Sequence, residues 1–298
     1  MTNPAILSGK EASEKIYSAL DNRISDLIKN KNKPGLAVIL VGNDPASALY
    51  VRSKTRIFNK LNLYTQTFRF AETVSEVEIL NKINDVNNNS SFHGLLVQLP
   101  LPKHLNSKKI IENIDPKKDV DGFHPINAGL LSQGQPGFIP CTPKGIMKIF
   151  KYYKINLSGK NVVVLGRSNI VGRPISILTS LKDSLANAST TICHSGTPNI
   201  ENFTKNADVI ILALGIPKFL KKSMVKKDAI VIDVGINRLN DSSPKGYSIV
   251  GDADKLDLGD KISAISPVPG GIGPMTIAML VENTIESAEL HCARSSVG

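Results

Sequence analysis

Ser47, Tyr50 and Lys54 are the residues of this chain best suited to act together on a ligand. The segment Asn43–Lys60 has Asp44 as a capping residue, Pro45 at the first helical position and apolar residues at helical spacing, which predicts a helix. The three residues are three and four positions apart, so they lie on one face of that helix. A hydroxyl, an aromatic ring and an amine on one face suit a flat, polar substrate. A lysine on an isolated helix is more often solvated, so the prediction depends on what surrounds it.

Two further polar residues follow short structural segments. Gln98 comes directly after the apolar run Gly94–Val97. An amide there suits equally a ligand site at the carboxyl end of a strand or a hydrogen bond to loop backbone. The segment Asp115–Phe123 is rich in turn-forming residues, so most of its acids are expected to cap turns or to be solvated. Asp121 differs, because a carboxylate beside a glycine turn can accept two hydrogen bonds from the amidine-like edge of a pterin ring.

The run Pro267–Thr276 joins a predicted strand to a predicted helix with three glycines and three prolines. Glycine lets a backbone approach a ligand closely, and proline stiffens that approach. Structural loops rarely need both so densely. This run, the glycine-proline loop, is therefore a candidate wall of a binding site.

Gly166–Gly172 is the candidate phosphate-binding loop. It follows an apolar strand candidate and precedes a helical run, which is the context in which free backbone amides and a helix dipole hold a phosphate. Its spacing departs from GxGxxG, because Ser168 stands at the second glycine and the last glycine is shifted. From the loop alone, a structural turn and a nucleotide site are equally good interpretations.

The next strand candidate ends in His194–Thr197, without the carboxylate that many NAD sites use to hold the ribose hydroxyls. Arg167 could pair with a 2′-phosphate there, and Ser195 could donate a hydrogen bond to it, which favours NADP over NAD. The segment Asp233–Asn237 ends another strand of the same predicted sheet. Ile236 could present its backbone to the nicotinamide, although a plain glycine turn is an equally good interpretation.

Helical patterns alternate with short apolar runs, which is typical of α/β proteins with right-handed crossovers and doubly wound parallel sheets. The predicted strands are Leu36–Val41, Thr65–Phe70, Gly94–Val97, Asn161–Leu165, Thr190–Cys193, Asp208–Leu214, Ala229–Asp233 and Lys261–Ile265. The predicted helices are one opened by a capping box at Ser8–Glu11, Asp44–Asn62, Ser75–Val86, one from Thr142, one from Pro174, and Met275–His291.

A chain of 298 residues is expected to hold two domains. A boundary is expected in the helix at 143–153. It separates a first domain, 1–145, from a dinucleotide-binding domain, 146–274. The last segment, 275–298, is expected to return and pack on the first domain.

The formal net charge of +10 admits several partners, because a basic surface attracts nucleic acid, phosphorylated cofactors and polycarboxylates alike. The basic residues are scattered and are not interleaved with aromatic residues, so a nucleic-acid platform is not expected. The histidines and cysteines lack the spacing of metal ligands, so no metal is expected.

Three widely separated cysteines argue against a disulfide framework and suit a reducing cytoplasm. The longest apolar runs are far shorter than the roughly 20 residues that cross a bilayer. The N-terminus also lacks the layout of a secretion signal. A cytoplasmic protein without membrane contact is therefore expected.

Taken together, these segments resemble the bifunctional methylenetetrahydrofolate dehydrogenase/cyclohydrolase family over essentially the whole chain. The motifs that carry the resemblance are Gly9–Lys10, Tyr50–Lys54, Val97–Pro102, Lys118–Phe123, Pro140–Gly145, Gly166–Pro174, Asp233–Asn237 and Pro267–Thr276. The resemblance implies two α/β domains around a cleft, the second a Rossmann-like doubly wound parallel sheet. It also implies a homodimer assembled through the cofactor domains.

The resemblance further implies NADP as cofactor and one-carbon derivatives of tetrahydrofolate as substrates. It implies that Lys54 is the catalytic amine, with Gln98 beside it, Tyr50 against the folate and Asp121 anchoring the pterin. The further folate contacts that it implies are Ser47, Val97, Leu99, Pro269, Gly270 and Gly271. The cofactor contacts that it implies are Gly166, Arg167, Ser168, Ile170, Val171, Ser195 and Ile236. Gly196 stands where some relatives carry a basic residue, which weakens the argument for a strict NADP preference.

The implied activity is oxidation of 5,10-methylenetetrahydrofolate to the methenyl form, followed by hydrolysis to 10-formyltetrahydrofolate. One alternative is another two-domain Rossmann dehydrogenase, of the shikimate or amino-acid type, which would have no use for the glycine-proline loop. A second alternative is a binding protein that kept the fold and lost turnover. A substrate-screened assay of cofactor reduction separates these alternatives.

Overall fold

The computed structural model describes residues 3–242 and 246–295, apart from the side chains of 293–295. The strands in this part of the chain are β1 (Ala5–Ile6), β2 (Gly35–Val41), β3 (Tyr64–Phe70), β4 (Gly94–Val97), β5 (Asn161–Leu165), β6 (Ser189–Cys193), β7 (Val209–Leu212), β8 (Ala229–Asp233), β9 (Asn237–Asn240), β10 (Tyr247–Val250) and β11 (Ile262–Ile265). The α-helices are α1 (Gly9–Lys29), α2 (Pro45–Lys60), α3 (Glu76–Asn87), α4 (Ser107–Glu112), α5 (Pro125–Ser132), α6 (Cys141–Tyr152), α7 (Gly172–Ser180), α8 (Ile200–Thr204), α9 (Lys255–Leu258) and α10 (Ile272–Ser295).

The Cα positions divide the chain into two compact units. The first, the cofactor-type unit, contains Met1–Ile16 and Thr142–Thr276. The second, the lysine unit, contains Tyr17–Cys141 and Ile277–Gly298 and therefore includes Lys54. The predicted domain division differs from these units chiefly at the N-terminus, because residues 1–16 cluster with the cofactor-type unit. The functional domain division stays a prediction.

The lysine unit is built on a parallel three-stranded sheet in the order β3-β2-β4. All seven residues of the central strand β2 are buried, as its unbroken apolar sequence predicts. The core on one side of the sheet contains Ile39, Ile79 and Ile83, which come from β2 and α3. Helix α3 begins with a complete capping box, in which Ser75 and Glu78 each accept a backbone N–H of the other.

The cofactor-type unit is built on a parallel six-stranded sheet in the order β1-β11-β8-β7-β5-β6. This order places β5 between β7 and β6, so the chain winds in both directions from the strand that precedes the glycine loop. The structure therefore confirms the predicted α/β class with a doubly wound parallel sheet. Among the described residues, no helix is long and apolar enough to cross a bilayer.

The predicted strands and main helices are confirmed to within a few residues at their ends. The exception is the predicted capping box at Ser8–Glu11, which is only half formed. The Glu11 amide donates to Ser8 Oγ at 3.3 Å, but the Ser8 amide donates to the Tyr153 hydroxyl at 2.7 Å instead of to Glu11. The prediction was wrong in this detail because a tertiary contact within the same unit satisfies the amide.

Candidate active site

Lys54 lies in the buried stripe of helix α2. The buried residues of this helix are Ser47, Val51, Lys54 and Phe58, which recur at the spacing of one helix face. An amine thus occupies a position that the pattern would otherwise give to an apolar side chain, and only 4% of Lys54 is exposed. The Lys54 ammonium lies 4.9 Å from the centre of the Tyr50 ring, which confirms that the two residues share a face.

Gln98 holds the Lys54 amine directly. Lys54 Nζ donates a hydrogen bond to Gln98 Oε1 at 3.1 Å, and Gln98 Nε2 donates to the Leu99 carbonyl at 2.7 Å. The Gln98 backbone amide donates to the Ile39 carbonyl at 2.9 Å, which extends the pairing of β2 with β4 beyond Val97. The expected hydrogen bond from Gln98 to loop backbone is therefore present, and the other end of the same amide meets Lys54. A ligand contact from Gln98 stays a prediction.

Asp121 and Cys141 lie close to the same amine. Burial lowers the pKa of Lys54, and interactions with Asp121 and Cys141 oppose part of that shift. Burial raises the pKa of Asp121, while the charge of Lys54 and a hydrogen bond from Cys141 act in the opposite direction. A buried amine with a lowered pKa is suited to accept and donate protons near neutral pH.

The segment that carries Asp121 is anchored on both sides. The Leu95 amide of β4 donates to the Lys118 carbonyl at 2.7 Å. On the other side of Asp121, Gly122 has a φ of +73°, and a Cβ there would lie 2.6 Å from the Pro140 nitrogen. The Val120 carbonyl accepts hydrogen bonds from Cys141 Sγ at 3.3 Å and from Asn283 Nδ2 at 2.8 Å. The position of Asp121 therefore follows from tertiary contacts as well as from the turn.

The neighbouring acids have structural roles, as the turn-rich sequence predicts. Asp119 accepts hydrogen bonds from the amides of Phe123 and His124 and from Asn127 Nδ2, which fixes the start of α5. Burial raises the pKa of Asp119 to about 6, against the effect of these hydrogen bonds. Asp115 accepts the Lys117 amide at 2.9 Å.

Ser47 is buried on the same helix face but already has a partner. Its amide donates to Asp44 Oδ2 at 2.7 Å, and its hydroxyl also bonds that carboxylate, which lowers the pKa of Asp44. Asp44 is thus the predicted N-cap of α2, and Pro45 takes the first helical position. A substrate contact from Ser47 would need its hydroxyl to be shared with this cap.

In the cofactor-type unit, the loop from Gly166 to Gly172 presents free backbone donors. The amides of residues 167–170 make no hydrogen bond to any other residue in the described ranges. Gly166 has a φ of +122°, and a Cβ on Gly172 would lie 2.1 Å from the Gly166 carbonyl, so both positions need glycine. Ser168 Oγ accepts the amides of Val171 and Gly172, which ties the loop to the first residue of α7.

Two donors face each other beside this loop. Gly196 donates its amide to His194 Nδ1 at 3.1 Å, so the neutral ring carries its proton on Nε2. His194 Nε2 lies 3.4 Å from Arg167 Nη1, which is also a donor. An anionic acceptor would satisfy both groups, and Ser195 is exposed next to them.

Ile236 is 60% exposed at the end of β8, where a buried pair of aspartates supports the turn that carries it. Asp233 Oδ1 accepts the amides of Gly235 and Asp252. Asp252 in turn accepts hydrogen bonds from the amides of Leu214 and Gly215 and from Asn237 Nδ2 at 2.8–3.0 Å. Burial is the main cause that raises the pKa of Asp233 to about 6.

The glycine-proline loop also belongs to the cofactor-type unit. The Gly271 amide donates to the Pro267 carbonyl at 2.7 Å, and the Lys10 amide donates to the Gly270 carbonyl at 3.2 Å. Gly270 has a φ of +102°, and a Cβ on Gly9 would lie 1.7 Å from the Gly271 carbonyl oxygen. Glycine is thus required for the backbone conformation and for the close approach of α1 to the loop.

Sequence reasoning missed three residues of these sites. The sequence gives Cys141 no role at Lys54, although the thiol interacts with Asp121 and Lys54. His194 stands out in the sequence by its place at a strand end, which gives no sign of its proximity to Arg167. Asp252 was not singled out, because a single acid after a short strand gives no local signal of its contacts.

Two family models match the chain. The tetrahydrofolate dehydrogenase/cyclohydrolase catalytic-domain model matches residues 7–121, and the NAD(P)-binding-domain model of the same family matches residues 140–292.

Curated relatives and solved structures of similar length also match. "Bifunctional protein FolD" of Chlamydia muridarum is 46% identical over 96% of this chain and 99% of its own length. The corresponding protein of Nautilia profundicola is 49% identical over 95% of this chain and 97% of its own length. The crystal structure of the bifunctional FolD methylenetetrahydrofolate dehydrogenase/cyclohydrolase of Campylobacter jejuni has a TM-score of 0.91 at 45% identity. The match covers 96% of this chain and 99% of that chain. A Trypanosoma brucei FolD structure, complexed with NADP cofactor and inhibitor, has a TM-score of 0.91 at 31% identity. The match covers 98% of this chain and 99% of that chain.

Proposed function

Because this chain belongs to the tetrahydrofolate dehydrogenase/cyclohydrolase family, we propose that it catalyses two successive steps of one-carbon metabolism. It oxidises 5,10-methylenetetrahydrofolate to 5,10-methenyltetrahydrofolate with NADP⁺. It then hydrolyses the methenyl product to 10-formyltetrahydrofolate.

The observation that carries the proposal is the buried amine of Lys54. Its hydrogen bond to Gln98 Oε1, at 3.1 Å, fixes the amine without neutralising it. An amine buried for structural reasons alone would normally be matched by a carboxylate in direct hydrogen-bonded contact. Here the direct partner is a neutral amide, and burial lowers the pKa of the lysine.

In the cyclohydrolase step, water adds to the methenyl carbon, and a proton must leave the attacking water. The neutral form of Lys54 accepts that proton, and the resulting ammonium can return it to the ring nitrogen that leaves. Gln98 keeps the amine oriented, and Tyr50 provides an aromatic surface beside it. Asp121 accepts hydrogen bonds from the pterin. These roles of Tyr50, Lys54, Gln98 and Asp121 are proposals.

In the dehydrogenase step, bound NADP⁺ supplies the hydride acceptor. The residues of the cofactor-type unit fit this cofactor, because the amides of 167–170 are available to a phosphate. Arg167 and Ser195 are proposed to hold the 2′-phosphate, and Ile236 to contact the nicotinamide. Gly166, Ser168, Ile170 and Val171 are proposed to line the same site. The chemistry of this step needs mainly alignment, so the chain's contribution is to position the reactants.

Six further residues are proposed to contact folate. Ser47 is buried on the same helix as Lys54, and Val97 and Leu99 flank Gln98 in the sequence. Pro269, Gly270 and Gly271 are assigned from the family resemblance, with the rigid loop that they form as support. Accordingly, residues 1–145 with 275–298 are proposed as the folate-binding domain, and 146–274 as the NADP-binding domain.

We also propose that the protein is a cytoplasmic homodimer that contacts neither nucleic acid nor membrane. The support for a reducing compartment is that none of the three cysteines forms a disulfide within the described residues. Sedimentation of the purified protein tests the proposed homodimer, since a monomeric mass would contradict it.

The function is tested by incubating the purified chain with 5,10-methylenetetrahydrofolate and either NADP⁺ or NAD⁺. Two signals are followed together: the absorbance of the reduced cofactor and that of the methenyl product. We expect reduced cofactor with NADP⁺ and transient methenyl absorbance, which decays as the cyclohydrolase acts. No cofactor reduction with either dinucleotide would refute the dehydrogenase, and a methenyl product that decays no faster than in buffer would refute the cyclohydrolase.

A further inference from the structure

A basic pocket lies in the lysine unit, away from Lys54. It has a volume of about 360 Å³ and is formed by helix α2 and the edge strand β3. Its lining residues are Val51, Arg52, Thr55, Arg56, Asn59, Thr67 and Arg69. A pocket of this size is at the lower end of the range of small-molecule sites.

The pocket is separate from the candidate active site because of helix geometry. An α-helix turns by 100° per residue, so Arg52 and Arg56 each point about 160° away from Lys54 around the axis of α2. The same helix therefore presents the buried amine on one face and two arginines on nearly the opposite face. The pocket plays no part in the chemistry proposed for Lys54.

The charges in this pocket are not balanced by protein groups. Arg52, Arg56 and Arg69 line it together, and its lining contains no acidic residue. None of the three guanidinium groups makes a hydrogen bond or an ion pair with another residue in 3–242 or 246–292. Elsewhere on the surface, basic side chains such as Lys82 and Lys109 are paired with acids.

The uncharged lining adds hydrogen-bonding groups of the right kind. Thr55, Asn59 and Thr67 contribute two hydroxyls and an amide, which have no side-chain partner in the described ranges. Three guanidinium groups with these donors match an oxyanion with several charges, since each planar guanidinium can donate two parallel hydrogen bonds to a phosphate or a carboxylate group.

We propose that this pocket binds a small polyvalent oxyanion, bearing phosphate or several carboxylate groups, at a site independent of the folate and cofactor sites. Bringing three like charges into one pocket is unfavourable in the free protein. Binding of the anion removes that repulsion and adds bidentate hydrogen bonds. The inference does not depend on the proposed enzymatic function, because it concerns binding at a different face of α2.

The test is isothermal titration calorimetry of the full chain with inorganic pyrophosphate and, separately, with citrate. The measurements are made in 150 mM chloride, which screens weak surface attraction. Two backgrounds are compared: the wild-type chain, and Arg167→Ala, which removes the guanidinium from the anion site proposed at Gly166–Gly172. We expect binding of at least one probe in both backgrounds.

The double substitution Arg56→Gln/Arg69→Gln should weaken that binding by at least about tenfold. The matched control, Lys15→Gln/Lys227→Gln, removes the same charge from two exposed lysines outside the pocket and should change the affinity by less than about twofold. A response to pyrophosphate alone identifies a phosphate site, and a response to citrate alone identifies a polycarboxylate site.

Three results would overturn the proposal: no binding of either probe, equal weakening by the control, or loss of all binding in Arg167→Ala.

Thermal unfolding gives a second measurement that does not rely on affinity. Without anion and at low salt, the double variant should unfold at the same temperature as the wild type or higher, because like-charge repulsion has been removed. Probe anions should then raise the unfolding temperature of the wild type by more than that of the double variant, which keeps only the anion site proposed at Arg167. A double variant that is stabilised by the probes as much as the wild type would contradict the site.

Discussion

Lys54 Nζ donates a hydrogen bond to Gln98 Oε1 at 3.1 Å, and this pair joins the buried face of α2 to the end of β4. The partner of the buried amine is neutral, so burial remains the dominant influence on its pKa and lowers it. The carboxyl group of Asp121 acts at longer range and opposes the shift. This balance is what makes the amine suitable for proton transfer.

Replacing Lys54 by methionine should abolish cyclohydrolase activity while NADP⁺ binding is retained. The thioether fills similar volume but cannot transfer a proton, so a loss of at least about 100-fold is expected. Decay of methenyltetrahydrofolate measures the activity, and cofactor titration measures the binding. Lys60→Met is the control, because Lys60 is exposed at the end of the same helix. Near-normal hydrolysis by Lys54→Met would remove Lys54 from the mechanism.

Replacing Gln98 by glutamate should move the acidic limb of cyclohydrolase activity to higher pH. A carboxylate in contact with the amine stabilises the ammonium form and raises the pKa of Lys54. The neutral amine then becomes scarcer, and the rate at pH 7 should fall on the order of tenfold. The measurement is the pH profile of methenyl hydrolysis.

Gln98→Met provides the comparison for this profile, because it removes the hydrogen bond without adding charge. It should lower the rate without moving the acidic limb to higher pH. Equal profiles for Gln98→Glu and the wild type would show that the charge state of Lys54 does not limit the reaction.

The sequence predicted the helix of Lys54 and the main parallel strands because these elements have strong local signals. Asp44 and Pro45 define the start of α2, and unbroken apolar runs define β2 and β7. The hairpin of β9 and β10 was not predicted. Its first strand, Asn237–Asn240, is short and mostly polar, so it lacks the apolar alternation that indicates a strand.

Residues that depend on tertiary contacts could not be found from the sequence. The burial of Lys54 follows from packing of α2, whereas its sequence environment is equally that of a solvated lysine. The interaction of Cys141 with Asp121 likewise joins segments whose proximity no local pattern encodes. The donor pair of Arg167 and His194 depends on the tautomer that the Gly196 amide selects.

Replacing Arg167 by alanine should weaken NADP⁺ binding far more than NAD⁺ binding. Loss of a charge-assisted hydrogen bond to a 2′-phosphate corresponds to about 1.5–3 kcal/mol, or roughly 10- to 150-fold in affinity. Binding of each dinucleotide is measured by fluorescence titration. The control is Arg173→Ala, since the Arg173 guanidinium bonds Asn169 within the same segment. Equal losses for the two dinucleotides would argue against a contact with the 2′-phosphate.

Replacing Asp252 by asparagine should raise the KM for NADP⁺ by at least about tenfold. Asp252 Oδ2 accepts the amides of Leu214 and Gly215, and Oδ1 accepts Asn237 Nδ2, so one carboxylate ties the end of β7 to the turn that carries Ile236. An amide group has one acceptor oxygen and cannot replace all three bonds. Steady-state kinetics and thermal unfolding are measured together.

Asp254→Asn is the control for Asp252→Asn, because Asp254 caps α9 and pairs with Lys221, whereas Asp252 bonds the turn that carries Ile236. It should leave the KM for NADP⁺ unchanged. A lower unfolding temperature for Asp252→Asn without any change in KM would show that Asp252 supports the fold but does not position the turn that carries Ile236.

His93 should make the protein less stable as the pH falls from about 6.5 to 4. Burial, followed by the charges of His291 and Lys118, lowers the pKa of His93 from 6.5 to about 4. His93 is 2% exposed, and its Nδ1 accepts the Gly35 amide. In this range the unfolded chain binds a proton that the folded chain excludes, so acidification favours unfolding by up to ~3 kcal/mol.

The measurement is the free energy of unfolding by urea at a series of pH values for the wild type and for His93→Gln. Asp119 and Asp233 have raised pKa values of about 6 and therefore shift stability in the opposite direction. Their contributions are the same in both proteins and cancel in the difference. The wild type should lose its advantage over His93→Gln progressively between pH 6.5 and 4. A difference that stays constant over this range would show that His93 is not held neutral by its surroundings.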